Sequence, residues 1–133
     1  MKRNVVLTLI LLAMVSFASE KISAQSSEKY MRIAKIVVDS TQLESFKIAL
    51  KEQMKAALML EEGVLAYSAV EDKNNPSHIT ILETYASIEA YQAHREAPHF
   101  LVYKKKVECM VLSLELTEVM PIALGDKKQV LLY

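Results

Sequence analysis

The sequence predicts a single α+β domain, and three observations carry that prediction. Runs rich in β-branched and aromatic residues alternate with two stretches of helical spacing, in the order strand, helix, strand, strand, helix, strand. Turn formers cluster between the two middle strands, in Asp72-Lys73-Asn74-Asn75-Pro76-Ser77, as a hairpin requires. The chain of 133 residues holds enough material for one core and not for two.

The elements follow in order. Tyr30 to Val38 (YMRIAKIVV) reads as the first strand. Asp39-Ser40-Thr41 offers helix caps, and Thr41 with Glu44 fits a capping box. Leu43, Phe46, Leu50, Met54, Ala57 and Leu58 then recur at spacings of three and four, the strongest periodicity in the chain. Lys47, Lys51 and Lys55 share the opposite, solvated face. Gly63 suits the position just past the helix end. Val64–Glu71 and His78–Tyr85 form an antiparallel pair around the turn cluster. A short helix is expected from Ser87 to Arg95, and Pro98 opens another, whose apolar face is Phe100, Tyr103, Val107, Met110 and Val111. Leu114 to Ile122 (LELTEVMPI) reads as the last strand, and a tail follows Gly125.

This β-α-β-β-α-β order is the ferredoxin-like arrangement, in which helices cover one face of the sheet. The first strand is apolar on both parities, with Ile33 and Val37 on one side and Ala34, Ile36 and Val38 on the other. A soluble monomer rarely exposes a large apolar face, so a homodimer with sheets packed face to face is expected.

The N-terminus reads as a cleavable signal. Lys2 and Arg3 precede an apolar run from Val5 to Phe17, and small residues follow in Ala18-Ser19 and Ser23-Ala24. The run is shorter than the roughly 20 residues of a membrane span, so cleavage is favoured over an N-terminal anchor. The expected division is a signal over 1–24 and one domain over 25–133, its core about 31–122, with cleavage after Ala18 as the alternative. Export to a periplasmic or secreted location, with no stable membrane span after cleavage, is the corresponding expectation. Lys2, Arg3, Lys21 and Glu20 leave with the signal, so 13 of the 16 basic and 15 of the 16 acidic residues remain. A net charge of −2 argues against nucleic acid as a partner. The one cysteine, Cys109, permits no intrachain disulfide and reads as a packed, inert thiol in the last helix.

Several chemistries are excluded by their motifs. Two glycines in the whole chain leave no glycine-rich phosphate loop. There is no C-x-x-C or H-E-x-x-H spacing, so a structural or protease-type zinc is not expected, and no G-x-S-x-G elbow appears. What remains is a group of His, Tyr and Glu between the third strand and the last helix. Ile88, Tyr91 and His94 lie on one helical face, the apolar one, so His94 points inward. Glu83 shares a strand face with Ile79, Ile81 and Tyr85 and therefore needs a partner inside the fold; His94 or Arg95 is expected to supply it. His99 stands at a helix start, where the neutral imidazole is favoured. The plain alternative for each is a structural role: an interior histidine with satisfied nitrogens, a paired carboxylate, core tyrosines with bonded hydroxyls.

Gly63-Val-Leu-Ala-Tyr67, Glu83-Thr-Tyr85 and Ala93-His94-Arg-Glu-Ala-Pro98-His99-Phe100 resemble the antibiotic biosynthesis monooxygenase family, including its quinol-monooxygenase-like members, over about Met31 to Ile122. The resemblance implies a dimeric α+β barrel with a pocket between sheet and helices. It implies oxygenation of a quinol or polyphenol by O2 without metal, flavin or haem, because the substrate supplies the electrons. On that likeness His94 is the expected base, with Glu83 and Tyr85 as orienting groups, and Tyr67, Tyr91, His99 and Phe100 are expected to bind a small aromatic substrate. Haem-degrading relatives use a tryptophan, and this chain has none. Two alternatives stay open: a dimeric small-molecule-binding or stress protein without turnover, and an isomerase of a small keto-sugar metabolite. An exported location, away from phosphorylated intracellular sugars, ranks the isomerase lower.

Overall fold

A computed structural model describes residues 28–127. The expected signal and the last six residues of the tail lie outside them. The elements are β1 (Tyr30–Val38), a 3₁₀ turn (Ser40–Gln42), α1 (Leu43–Leu60), β2 (Val64–Glu71), β3 (His78–Tyr85), α2 (Ile88–Glu96), α3 (Pro98–Val107) and β4 (Val111–Val119). The four strands form one antiparallel sheet in the order β2-β3-β1-β4. This is the ferredoxin-like α+β fold that the sequence predicts. No described helix is long and apolar enough to cross a membrane.

One face of the sheet carries the helices. Ala34, Ile36 and Val38 of β1 and Ile79 and Ile81 of β3 pack against Phe46, Ala49 and Leu50 of α1 and Val107 of α3. Alternation along β1 places Arg32 on this same inward parity, an exception in an otherwise apolar row. The helices stop short of β4. Leu114 and Leu116 lie opposite Ile36 and Ala34 in register, yet about half of each remains exposed. The helix-side cleft is therefore open along that edge.

Six local expectations need correction. The first helix is not entered through a Thr41–Glu44 capping box. Asp39 Oδ1 instead accepts from both the Thr41 amide and the Thr41 hydroxyl, closing a 3₁₀ turn that leads into α1. Along α1, Leu58 is exposed and Gln53 is buried, because the inward stripe runs Phe46, Ala49, Leu50, Gln53, Ala57. Lys47 is not a free surface cation either, being half-buried and paired with Glu71 and Glu44. The last strand begins at Val111 rather than Leu114: Met110 ends the turn after α3 by donating its amide to Val107, and Val111 already pairs with Val38 across a bulge. Cys109 consequently sits exposed in that turn instead of packed in a helix.

The sixth concerns Gly63. It does not adopt the left-handed conformation of a helix-ending glycine, since no described glycine has positive φ. Its role is proximity. A Cβ built there would stand 2.5 Å from the Ala90 methyl of α2. Neither methyl has a rotamer that could yield, so α2 would have to move. Gly63→Ala is expected to cost about 1–3 kcal/mol. Adding Ala90→Gly should recover part of that, because the nearest atom is then the Ala90 Cα at 3.5 Å. Urea unfolding of the two variants measures both effects, and a loss below about 0.3 kcal/mol for the single change would show that α2 is not held tightly.

Candidate active site

The cleft between the helices and the sheet has a volume of about 660 Å³. That is a size suited to one small organic molecule. Its walls are mainly apolar: Ala34, Ile36, Leu50, Met54, Ile81 and Phe100. At one end stand Arg32, Tyr67, Glu83, Tyr85, Tyr91 and His94. Six of the seven residues expected from the sequence thus reach one cavity.

These side chains form a single hydrogen-bonded chain. The Tyr85 hydroxyl donates to Glu83 Oε2 at 3.0 Å. The Tyr67 and Tyr85 hydroxyls are 2.7 Å apart, and the Tyr67 hydroxyl is 2.9 Å from His94 Nε2. On the far side of the ring, His94 Nδ1 is 2.9 Å from Glu61 Oε1, and His99 Nε2 is 2.6 Å from the same oxygen. The direction of one bond fixes the others. Because Tyr85 gives its proton to Glu83, the hydroxyl of Tyr67 must donate to Tyr85, and the Tyr67 oxygen then accepts from His94 Nε2–H.

Local sequence explains this convergence. Glu83 and Tyr85 share the inward parity of β3, and Tyr67 lies opposite Glu83 in the β2 ladder. Ser87 caps α2 by accepting from the Ala90 amide, which sets the rotation that buries Tyr91 and His94 on its inner face. Ile88, expected on that face, is nearly half exposed. Pro98 opens α3 directly after α2 and brings His99 back beside His94.

Two partners differ from expectation. Glu83 does not pair with His94 or Arg95. It faces Arg32 across the β1–β3 ladder, with Arg32 Nε 3.2 Å from Glu83 Oε2 and both side chains largely buried. Arg32 Nη1 also donates to the Tyr91 hydroxyl, and its guanidinium carbon lies 4.5 Å from the Tyr91 ring centroid. His99 does not line the cavity; it turns to Glu61. Arg32 and Glu61 are the site residues that the sequence reading omits.

Burial governs the electrostatics. It pushes the Glu83 carboxyl above the usual carboxylate range, against the opposing pull of Arg32 and the Tyr85 hydrogen bond. Burial likewise raises the Tyr67 and Tyr85 phenols far above their ordinary value, with the Glu83 charge adding to the effect. Both tyrosines are therefore neutral carriers of protons, not bases. A further polar group lies deeper in the cleft. Gln53 is 5 % exposed, lines the cavity, and has no protein partner for either its amide nitrogen or its amide oxygen.

An α+β fold with an apolar cleft and a relay of proton-bearing groups at one end is suited to holding one small molecule. The chain belongs to the antibiotic biosynthesis monooxygenase family, whose model matches residues 29–106. It is 40% identical to a Bacteroides thetaiotaomicron protein provisionally named an antibiotic biosynthesis monooxygenase, with a TM-score of 0.72 over 75% of this chain and 95% of that one. A Lactobacillus acidophilus protein provisionally named a monooxygenase is 28% identical, with a TM-score of 0.69 over 71% of this chain and 45% of that one. A Nitrosomonas europaea protein at 18% identity shares the fold, with a TM-score of 0.68 over 72% of this chain and 92% of that one. Among curated proteins no match is found.

Proposed function

We propose that the protein is a cofactor-independent monooxygenase that oxidises a quinol or polyphenol with O2. The observation that carries this reading is Glu83, a largely buried carboxylate with a raised proton affinity at the polar end of an apolar cleft. Such a group is tuned to take a proton from a phenol. Both nitrogens of His94 are already engaged, so the base assigned to His94 from the resemblance passes to Glu83, and His94 orients the chain through Tyr67 and Tyr85.

The reaction balances on substrate and oxygen alone. A benzene-1,4-diol and O2 give a hydroxyquinone and water: one oxygen atom enters the ring, the other leaves as water, and the diol supplies all four electrons. Deprotonation raises the electron density of the ring, which then reacts with oxygen. The protein supplies the base, a dry apolar wall and Arg32, whose charge lies beside the phenolate that forms.

Oxygen uptake with a panel of hydroquinones and catechols tests the proposal. At least one compound should drive uptake that falls roughly 10²-fold or more in His94→Ala, which interrupts the chain without removing Glu83. If no aromatic substrate consumes oxygen faster with the wild type than with that variant, the reading fails. The reading includes the exported location and the homodimer expected from the sequence, which the N-terminal residue of the mature protein and its mass in solution check.

A further inference from the structure

We propose that Glu61, His94 and His99 form a binding site for a divalent transition-metal cation, of the zinc or ferrous type, behind the cleft and not within it. Three ligand atoms converge there: Glu61 Oε1, His94 Nδ1 and His99 Nε2, all within 4.8 Å of one another. Their side chains are 15 %, 3 % and 19 % exposed, so the set is enclosed and is not a chance meeting of surface groups.

The direction of the hydrogen-bonded chain favours a cation between these groups. Tyr85 donates to Glu83, so His94 must present Nε2–H to Tyr67. In the neutral imidazole the lone pair then lies on Nδ1, and Nδ1 faces a carboxylate oxygen 2.9 Å away. Two acceptors cannot face each other without a positive charge between them. A second proton on the ring meets that demand, and so does a metal ion, which also engages His99. Two imidazoles and one carboxylate serve both zinc and non-haem Fe(II), with the open positions completed by water.

The geometry needs little change. Around a cation with bonds of about 2.0–2.2 Å, neighbouring ligand atoms sit roughly 3.0–3.5 Å apart. The observed separations of 2.6 and 2.9 Å widen to this by a few tenths of an ångström of movement in the Glu61 side chain. The outer contacts are already in place. The Nε2–H of His94 rests on Tyr67, as a metal-bound histidine ordinarily rests on a second acceptor. Glu61 is held by its position, its amide bonding Ala57 O at the end of α1 and its carbonyl accepting from Val64 N.

The site is distinct from the oxygenation chemistry. Glu61 and His99 do not line the cleft, and the ion would touch no substrate. It would join the end of α1 to the α2–α3 junction and hold His94 in the one tautomer that the chain requires. The proposal stands or falls by metal binding, not by turnover.

The experiment is calorimetric titration of the chelator-stripped protein with Zn²⁺, repeated with Co²⁺ for its visible d–d absorption. The wild type is expected to bind one ion per chain, with a Co²⁺ spectrum of tetrahedral N/O ligation and a Tm that rises with metal. His99→Ala and Glu61→Gln should each weaken binding by roughly 10–100-fold or more. His99→Ala alters a partly exposed residue, and His99→Gln serves the same purpose if it folds poorly. Absence of stoichiometric binding, or an affinity unchanged in both Glu61→Gln and the His99 variant, overturns the site.

Discussion

Glu83→Gln is expected to lower kcat/KM by roughly 10²–10⁴-fold, the usual contribution of a positioned base. Glutamine keeps the shape and can still accept from the Tyr85 hydroxyl, so the cleft survives while the proton acceptor does not. The pH profile separates this from a general disturbance. In the wild type the acid limb of kcat/KM should lie above the ordinary carboxylate range, because burial raises the Glu83 carboxyl. Activity therefore rises with pH through that limb, and the limb should vanish in the variant. Stability carries the same signature with opposite sign. A carboxyl whose folded pKa exceeds its unfolded value contributes stability that is full below the unfolded pKa and is lost as pH rises through the folded one. Glu83→Gln should flatten that decline. A variant that turns over at the wild-type rate with an unshifted acid limb would remove Glu83 from the chemistry.

Arg32→Met should destabilise the fold by about 3–5 kcal/mol, the largest stability effect expected at this site. Arg32 is 9 % exposed and faces Glu83 directly across the ladder. Methionine fills much of the volume but leaves a buried carboxylate with no cation beside it. The Glu83 carboxyl should then move further upward. By the same sign argument the loss grows as pH rises: unfolding at about pH 8 should show a larger deficit than at about pH 5. The double variant Arg32→Met/Glu83→Gln should recover most of the loss, because no unpaired charge remains. A deficit below about 0.5 kcal/mol, or one indifferent to pH, would mean that the pair is solvated and contributes as little as a surface ion pair.

The sequence reveals this fold more readily than this site, and particular residues show why. The first three strands begin and end where β-branched runs meet turn formers, so their limits are local properties of the chain. The last strand is harder. Met110 and Val111 continue the helical spacing of Phe100, Tyr103 and Val107, and only pairing with Val38, over 70 residues away, draws Val111 into the sheet. Glu83, Tyr85, Tyr67, Tyr91, His94 and Phe100 stand out because polar or aromatic groups occupy inward positions. Arg32 obeys the same rule. Its inward parity with Ala34 and Ile36 was a readable signal hidden in a mixed strand. Glu61 leaves a fainter trace. An acidic residue at a helix C-terminus opposes the helix dipole, and such a local conflict marks a position held for another reason. A Glu61-His94-His99 set spans 39 positions of sequence, so no short ligand motif could disclose it.

Gln53 stands against the logic of the wall around it. Its amide is buried and has no protein hydrogen-bond partner, although the residue borders the cleft. A buried donor and a buried acceptor left unmade cost the fold about 1–3 kcal/mol for each. An apolar side chain of similar shape would shed that cost and keep the packing, so the folded chain carries a tension at the cleft that its apolar neighbours do not.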